Sequence, residues 1–116
     1  MKKNISICRP VTLREVFNCS FNLNTTEYLV LRELLRSKTP KSVLQLAKKL
    51  KKDRTTIQKA IANLLKENLI KRKQLNLEKG GYFYLYFIED KNKLKNTLIK
   101  NLDLWYRDVI NMIRSL

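Results

Sequence analysis

The sequence of 116 residues contains no histidine and only two cysteines, two glycines and two prolines. Without histidine, the chain lacks the commonest general base and the commonest nitrogen ligand of metal ions. Two cysteines alone cannot complete a four-ligand zinc site within one chain. The two glycines, Gly80 and Gly81, are adjacent and do not form a phosphate-binding glycine-rich loop. These absences argue against an enzyme and against a metal or cofactor site, and they favour a binding protein.

Negative charge is also scarce. Ten acidic residues stand against 25 Lys and Arg, which gives a formal net charge of +15 and an isoelectric point near 10.1. The cations are concentrated between Lys38 and Lys79, where only three acidic residues occur. A solvated lysine surface is one explanation of this composition. The concentration of charge favours the other explanation, a protein that binds a polyanion such as nucleic acid.

Long apolar runs are missing as well. No window approaches the ~18 consecutive apolar residues of a membrane-spanning helix, and the N-terminus lacks the apolar segment of a secretory signal. The 44% of hydrophobic residues can still fill the core of one domain. The sequence therefore predicts a soluble, cytoplasmic, DNA-associated protein with no membrane partner.

Two short consecutive helices are predicted in the middle of the chain. Ser42 and Gln45 have the spacing of a capping box, and Asp53 is a suitable cap for the second helix. Each helix has one apolar stripe. The first stripe contains Val43, Leu46, Ala47 and Leu50, and the second contains Ile57, Ala60, Ile61, Leu64 and Leu65. Two short helices joined by about three residues form a helix-turn-helix.

The second helix carries small, amide or cationic side chains away from its apolar stripe when it is wound at about 100° per residue. A DNA major groove suits such side chains, because Lys can donate to guanine, Asn or Gln can pair with adenine, and small residues allow close approach. The predicted base-reading residues are Thr55, Thr56, Gln58, Lys59 and Asn63.

A basic β-hairpin is predicted after this helix, with strands near residues 70–75 and 82–88 and the two glycines in its loop. A short strand around Thr39 is expected to pair with it. A hairpin beside a recognition helix can contact phosphates or a minor groove. The predicted phosphate-binding residues are Lys41, Ser42, Lys52, Arg54, Lys66, Lys71, Arg72, Lys73 and Lys79.

The second strand of the hairpin alternates two rows of side chains. Tyr82, Tyr84 and Tyr86 point to one face, and Phe83, Leu85 and Phe87 point to the other. The phenylalanine row is the more apolar, but the sequence leaves open which row faces the core. Exposed tyrosines could stack on unpaired bases or cover an interface.

Five segments carry a resemblance by their order and spacing: Leu23–Tyr28, Leu46–Ile57, Leu64–Ile70, Gly80–Tyr86 and Asp103–Tyr106. Through them, the region from Phe17 to Tyr106 resembles short archaeal winged-helix regulators related to the TrmB family and, more distantly, to MarR-type repressors. The resemblance implies a dimeric transcription regulator that docks residues 54–66 in the major groove. The sugar-binding domain of full-length TrmB-like proteins has no counterpart here, so no small-molecule effector is expected. Asn68 replaces the usual glycine after the recognition helix and can adopt the same left-handed conformation.

Two further helices are predicted before the helix-turn-helix. Asn24 and Glu27 form a second capping-box pattern, for a helix that runs to about Ser37, and Thr12 and Glu15 form a third. Cys8 and Cys19 flank the helix that Thr12 begins, and a disulfide between them would fix the N-terminal arm. The alternative is two unpaired thiols with Cys19 buried. The pattern favours the unpaired thiols over the disulfide.

The C-terminal segment from Lys91 onwards contains neither glycine nor proline and is predicted to be one long helix. Its apolar residues follow alternating spacings of four and three, as in helices that pair with other helices. The expected partner is the same helix of a second copy, and the alternative is packing on the helix at 24–37. The predicted dimer interface consists of Leu98, Leu102, Trp105, Tyr106, Val109, Met112, Ile113 and Leu116.

The sequence thus predicts an α+β, mainly α, winged helix-turn-helix with a two- or three-stranded wing. Residues 1–22 form an arm with a short helix, 23–89 the DNA-binding domain and 90–116 a dimerisation helix. The expected function is sequence-specific binding of duplex DNA by a homodimeric transcription regulator that acts as a repressor. The alternative is an architectural protein that coats DNA without sequence preference.

Overall fold

The structure, a computed structural model, describes residues 11–116. Five helices and one antiparallel hairpin follow one another, and this mainly helical arrangement with a long C-terminal helix confirms the predicted fold class. The elements are α1 (Leu13–Phe21), α2 (Thr25–Arg36), α3 (Val43–Leu50), α4 (Arg54–Lys66), β1 (Lys71–Asn76), β2 (Tyr82–Phe87) and α5 (Lys91–Arg114).

Three helices begin with the capping boxes that the sequence predicts. Thr12, Asn24 and Ser42 each accept a hydrogen bond from the backbone N–H three residues later, and the side chain at that later position accepts one in return. These reciprocal bonds satisfy backbone donors that the first turn of a helix leaves free. At α4 the cap differs, because the carboxylate of Asp53 accepts from the Thr56 hydroxyl and not from the backbone.

Three helices end next to residues in the left-handed conformation. Asn22 follows α1 with φ 54°, Lys51 follows α3 with φ 56°, and Asn68 lies two residues after α4 with φ 59°. The prediction for Asn68 is therefore confirmed. The N–H of the next residue, Leu69, donates to the carbonyl of Leu64 at 3.0 Å, which closes the end of α4.

The core is formed where α2, α3 and α4 meet. Val30 and Leu31 on α2, Leu46 on α3, and Ile57 and Leu64 on α4 have no solvent exposure. These residues belong to the apolar stripes predicted for the helix-turn-helix or to the adjacent helix. Their packing holds α4 with its polar face turned outwards, which positions the surface described below.

The hairpin pairs Lys71 with Phe87 at one end and Asn76 with Tyr82 at the other. Gly80 and Gly81 lie in its loop with φ values of 96° and 84°, a conformation that side chains rarely adopt. The predicted third strand is reduced to one bridge, in which Lys41 exchanges backbone hydrogen bonds of 2.9 and 2.7 Å with Tyr86. This bridge ties the hairpin to the start of α3.

The tyrosine row of β2, and not the phenylalanine row, contributes the buried residue of this strand. Tyr86 is buried, whereas Phe83 is 39% exposed. Burial raises the pKa of the Tyr86 phenol, and the charge of Arg72 on the opposing strand acts in the other direction. The question that the sequence leaves open is thus answered in favour of the less apolar row.

Helix α5 is only partly covered by the rest of the chain. Its first turns pack against α1, with Leu94 buried and Leu98 half-buried against the core, rather than along α2. Towards its C-terminus the apolar side chains are open to solvent, with Trp105 55% and Met112 63% exposed. Within residues 11–116, no helix is long and apolar enough to cross a membrane.

Cys19 has an exposed side chain, so the expectation that it is buried is wrong. It lies on the outer face of α1, because Phe17 on the same helix turns into the core. Cys8 lies outside the described residues, and the disulfide between Cys8 and Cys19 stays a prediction.

Candidate nucleic-acid interface

The outer face of α4 presents the side chains that suit a major groove. Thr55, Gln58 and Lys59 are exposed, and Ala62 continues the same face as a small residue. Thr55, Lys59 and Ala62 lie opposite the buried stripe of α4 and Gln58 lies on its flank, so all four remain available to a ligand while the helix is held by the core.

Two of the five predicted base-reading residues are engaged within the protein. The half-buried Thr56 donates its hydroxyl hydrogen bond to Asp53, and this bond lowers the pKa of the Asp53 carboxyl. The side-chain amide of Asn63 donates to the carboxylate of Glu27 at 2.6 Å. Thr56 and Asn63 thus have partners within the protein, although Asn63 is exposed, and base reading by these two residues stays a prediction. Thr55, Gln58 and Lys59 are called the outward polar set of α4 below.

The predicted phosphate-binding residues do not form one continuous site. Ser42 and Arg54 line a common cleft between the helix-turn-helix and β2, and Lys41 adjoins it through the bridge to Tyr86. Lys66 lies at the opposite end of α4, beside Asn22 and Glu67.

Along the hairpin the cations are also separated. Lys71 lies near Glu89 and Asp90 at the start of α5, and Arg72 stacks over the ring of Tyr84 at 4.2 Å from its centre. Lys79 is exposed next to the loop glycines, and Lys73 and Lys52 are exposed as well. Among these cations, Arg54 shares a cleft with Gln58 of α4, and a phosphate contact by Lys79 stays a prediction.

Two features of this surface were not predicted from the sequence. Glu27 is recognisable as a capping-box residue, but no pattern shows that its second oxygen reaches Asn63 on another helix. The cleft beside Ser42 and Arg54 is lined on its far side by Tyr82 and Tyr84. The sequence indicates this wall of the cleft only in part: the alternate positions of Tyr82 and Tyr84 predict that the two rings share one face of β2.

Comparisons with known proteins agree with this geometry. A model of the MarR family matches residues 21–75, which span the helix-turn-helix and most of β1. An uncharacterized protein of Methanocaldococcus jannaschii, MJ1082, is 32% identical over 105 residues, covering 90% of this chain and 86% of that protein. The chain belongs to the MarR family. A second uncharacterized M. jannaschii protein, MJ1503, is 28% identical over 109 residues, covering 94% of this chain and 82% of its own length.

Solved structures share the fold over most of the chain. A protein of Methanosarcina mazei described as a possible transcriptional regulator superposes with a TM-score of 0.81 at 26% identity, covering 97% of this chain and 94% of its own. The ST1889 protein of Sulfolobus tokodaii shares the fold with a TM-score of 0.68 at 19% identity, covering 83% of this chain and 93% of its own.

The fold and family of this chain are those of DNA-binding transcription regulators and not of enzymes. The MarR-type part of the resemblance drawn from the sequence is thus confirmed. Its narrower relation to TrmB stays a prediction.

Proposed function

We propose that this MarR-family chain is a sequence-specific regulator that binds duplex DNA as a homodimer and represses transcription by covering promoter sites. The observation that carries the proposal is the outward polar set of α4, Thr55, Gln58 and Lys59, on a chain with a net charge of +15. A protein that only coats DNA has no need for an amide and a hydroxyl on the face of an exposed helix.

Each member of the set has a definite role in this proposal. Lys59 donates to guanine O6 or N7, and Gln58 pairs with adenine through its amide. Thr55, near the N-terminus of α4, contacts a base edge or a thymine methyl group. Arg54 and Ser42 hold the adjacent phosphates, and Lys79 reaches the backbone from the hairpin tip.

The dimer would form through α5. A helix of 24 residues is ~36 Å long, and most apolar side chains of its C-terminal half are exposed, among them Trp105, Met112 and Ile113. A second copy of the same helix can cover this face, in a symmetric interface. Two α4 helices related by a twofold axis then meet two half-sites about one helical turn, or a multiple of it, apart, so the operator should be nearly palindromic.

Fluorescence anisotropy of the purified protein tests the proposal, with the DNA upstream of its own coding sequence and a scrambled duplex of equal length. The titrations are run from ~50 to 200 mM salt, because nonspecific electrostatic binding collapses over this range. We expect the upstream duplex to be preferred by about a thousandfold or more. Equal affinities that fall together with salt would identify an architectural protein instead.

Replacing Lys59 by alanine should reduce affinity for the cognate site by about tenfold or more and change affinity for the scrambled duplex much less. The reason is that a base contact contributes about 1–3 kcal/mol only at the correct sequence. Lys48→Ala, at an exposed position on α3, is the matched control for the loss of one charge. Equal losses on both duplexes would remove Lys59 from the base-reading set.

Replacing Lys79 by alanine should weaken binding to both duplexes to the same extent. A phosphate contact carries no sequence information, and its loss removes about one released counterion, so the salt dependence should flatten by about one unit. The slope of log affinity against log salt measures this directly. An unchanged slope would show that the hairpin tip does not reach the DNA backbone.

A further inference from the structure

The two faces of the hairpin differ in chemistry. Paired residues of an antiparallel ladder share a face, so each face combines alternate residues of β1 and β2. The outer face mixes lysines with apolar residues, and the inner face carries only residues able to form hydrogen bonds. The inner face consists of Arg72, Gln74, Asn76, Tyr82, Tyr84 and Tyr86.

The three inner tyrosines become more exposed towards the hairpin loop. Tyr86 is buried, Tyr84 is half-buried beneath the guanidinium of Arg72, and Tyr82 is 58% exposed. The rings of Tyr82 and Tyr84 meet edge to face with their centres 5.5 Å apart. Tyr84 also packs on the edge of the core, and Tyr82 lies beyond it, so the row runs from the core out into solvent.

This row is one wall of a cleft of about 530 Å³. Ser42, Arg54 and Gln58 line the opposite wall, and no carboxylate lines the cleft. The exposed side chain of Leu44 adds an apolar surface at its edge. Hydroxyl and guanidinium donors beside apolar surface match a ligand that alternates anionic and apolar parts, as a sugar–phosphate chain does.

The position of the cleft indicates which sugar–phosphate chain would occupy it. If α4 lies in a major groove and the hairpin tip reaches the neighbouring minor groove, the strand that separates the two grooves must pass between α4 and the hairpin. We propose that this cleft binds the sugar–phosphate backbone of one DNA strand, with the hydroxyls of Tyr82 and Tyr84 donating to its phosphates. The proposal rests on the duplex-binding part of the proposed function.

The tyrosine contacts have a property that separates them from the lysine contacts. A neutral hydroxyl that donates to a phosphate releases no counterion from the protein's side, so its contribution to affinity should not depend on salt. The tyrosine row would then sustain binding at salt concentrations at which the lysine contacts weaken.

The double variant Tyr82→Phe, Tyr84→Phe tests this by removing two hydroxyls while keeping both rings. We expect binding to duplex DNA to weaken by about tenfold at every salt concentration, with the salt slope of the wild type. Leu75→Ala, on the outer face near the same end of the hairpin, is the control and should bind like the wild type. Unchanged affinity of the double variant, or a loss that disappears at high salt, would overturn the proposal.

Single neutral methylphosphonates placed along the duplex give a second readout, which a folding defect cannot imitate. A methylphosphonate at the phosphate held by Tyr84 should reduce the affinity of the wild type, and it should reduce the affinity of the Tyr84→Phe variant much less. Methylphosphonates elsewhere should reduce the affinity of both proteins equally. Equal costs at every position would refute the contact. If the wild type binds the upstream and the scrambled duplex alike, the proposal of sequence-specific regulation fails, but the effect of Tyr84→Phe on the methylphosphonate losses can still be measured. If the wild type binds no duplex at ~50 mM salt, the proposed function and the proposed backbone contact are both refuted.

Discussion

Replacing Trp105 by glutamate should convert a dimer into monomers and weaken binding to a two-half-site operator by about a hundredfold or more. Trp105 is 55% exposed on α5 and lies on the same stripe as Val109 and Met112. In the proposed dimer a second helix covers this stripe, and a carboxylate there would lose its hydration without gaining a partner. Each monomer would then bind one half-site by itself. In the dimer, binding of one subunit holds its partner at a high effective concentration near the second half-site, and this advantage would be lost. Sedimentation equilibrium and anisotropy measure the two effects.

Asn111→Glu is the matched control, because it adds the same charge to the opposite face of α5. That face carries the exposed ion pair between Arg107 and Asp103, whose atoms are 3.0 Å apart, and it has the polar character of a solvent-facing surface. We expect this variant to remain dimeric, with only a small loss of affinity from the added negative charge. A Trp105→Glu protein that stays dimeric with unchanged affinity would exclude α5 as the dimer interface.

Replacing Glu27 by alanine should lower the free energy of unfolding by about 2–4 kcal/mol, because it leaves two hydrogen-bond donors without a partner. Glu27 is 6% exposed, although it carries a carboxylate. One of its oxygens accepts from the backbone N–H of Asn24 at 3.1 Å and the other from the amide of Asn63 at 2.6 Å. Urea denaturation followed by circular dichroism measures the loss.

Glu33→Ala provides the comparison on the same helix, since Glu33 is half-buried outside this network, and we expect a change below about 1 kcal/mol. Asn63→Ala and the double variant Glu27→Ala, Asn63→Ala complete a cycle, in which the two losses should not add, because they remove one shared bond. If the two losses of unfolding free energy add, the hydrogen bond between Glu27 and Asn63 contributes no stability of its own.

The helix starts could be predicted because capping is local. Each of the three predicted capping boxes joins residues three positions apart, so the sequence pattern contains all the information that the structure uses. The apolar stripes of α3 and α4 were predictable for a similar reason, since their spacing follows directly from the helical repeat. The position of α4 and the identity of its outward face follow from these two kinds of pattern.

Long-range contacts could not be predicted in this way. The bond between Asn63 and Glu27 joins residues 36 positions apart, and Asn63 has the same sequence character whether it faces DNA or α2. Similarly, the exposure of Cys19 depends on how α1 rotates against the core, which one short apolar pattern does not determine. Which row of β2 is buried depends on how the sheet docks on the helices, through the bridge between Lys41 and Tyr86.

The left-handed residues at the helix ends have a consequence for the unfolded chain. Asn22, Lys51 and Asn68 adopt a conformation that costs a residue with a side chain about 1–2 kcal/mol, less for asparagine. Glycine would remove that strain but would give the unfolded chain additional conformational freedom, which costs about 0.4–1 kcal/mol on folding. At the two asparagines, where the strain is lower, the two effects nearly cancel, so the chain loses little by ending those helices without glycine. Its unfolded ensemble is correspondingly narrower, and fewer backbone conformations must be excluded when the three-helix core forms.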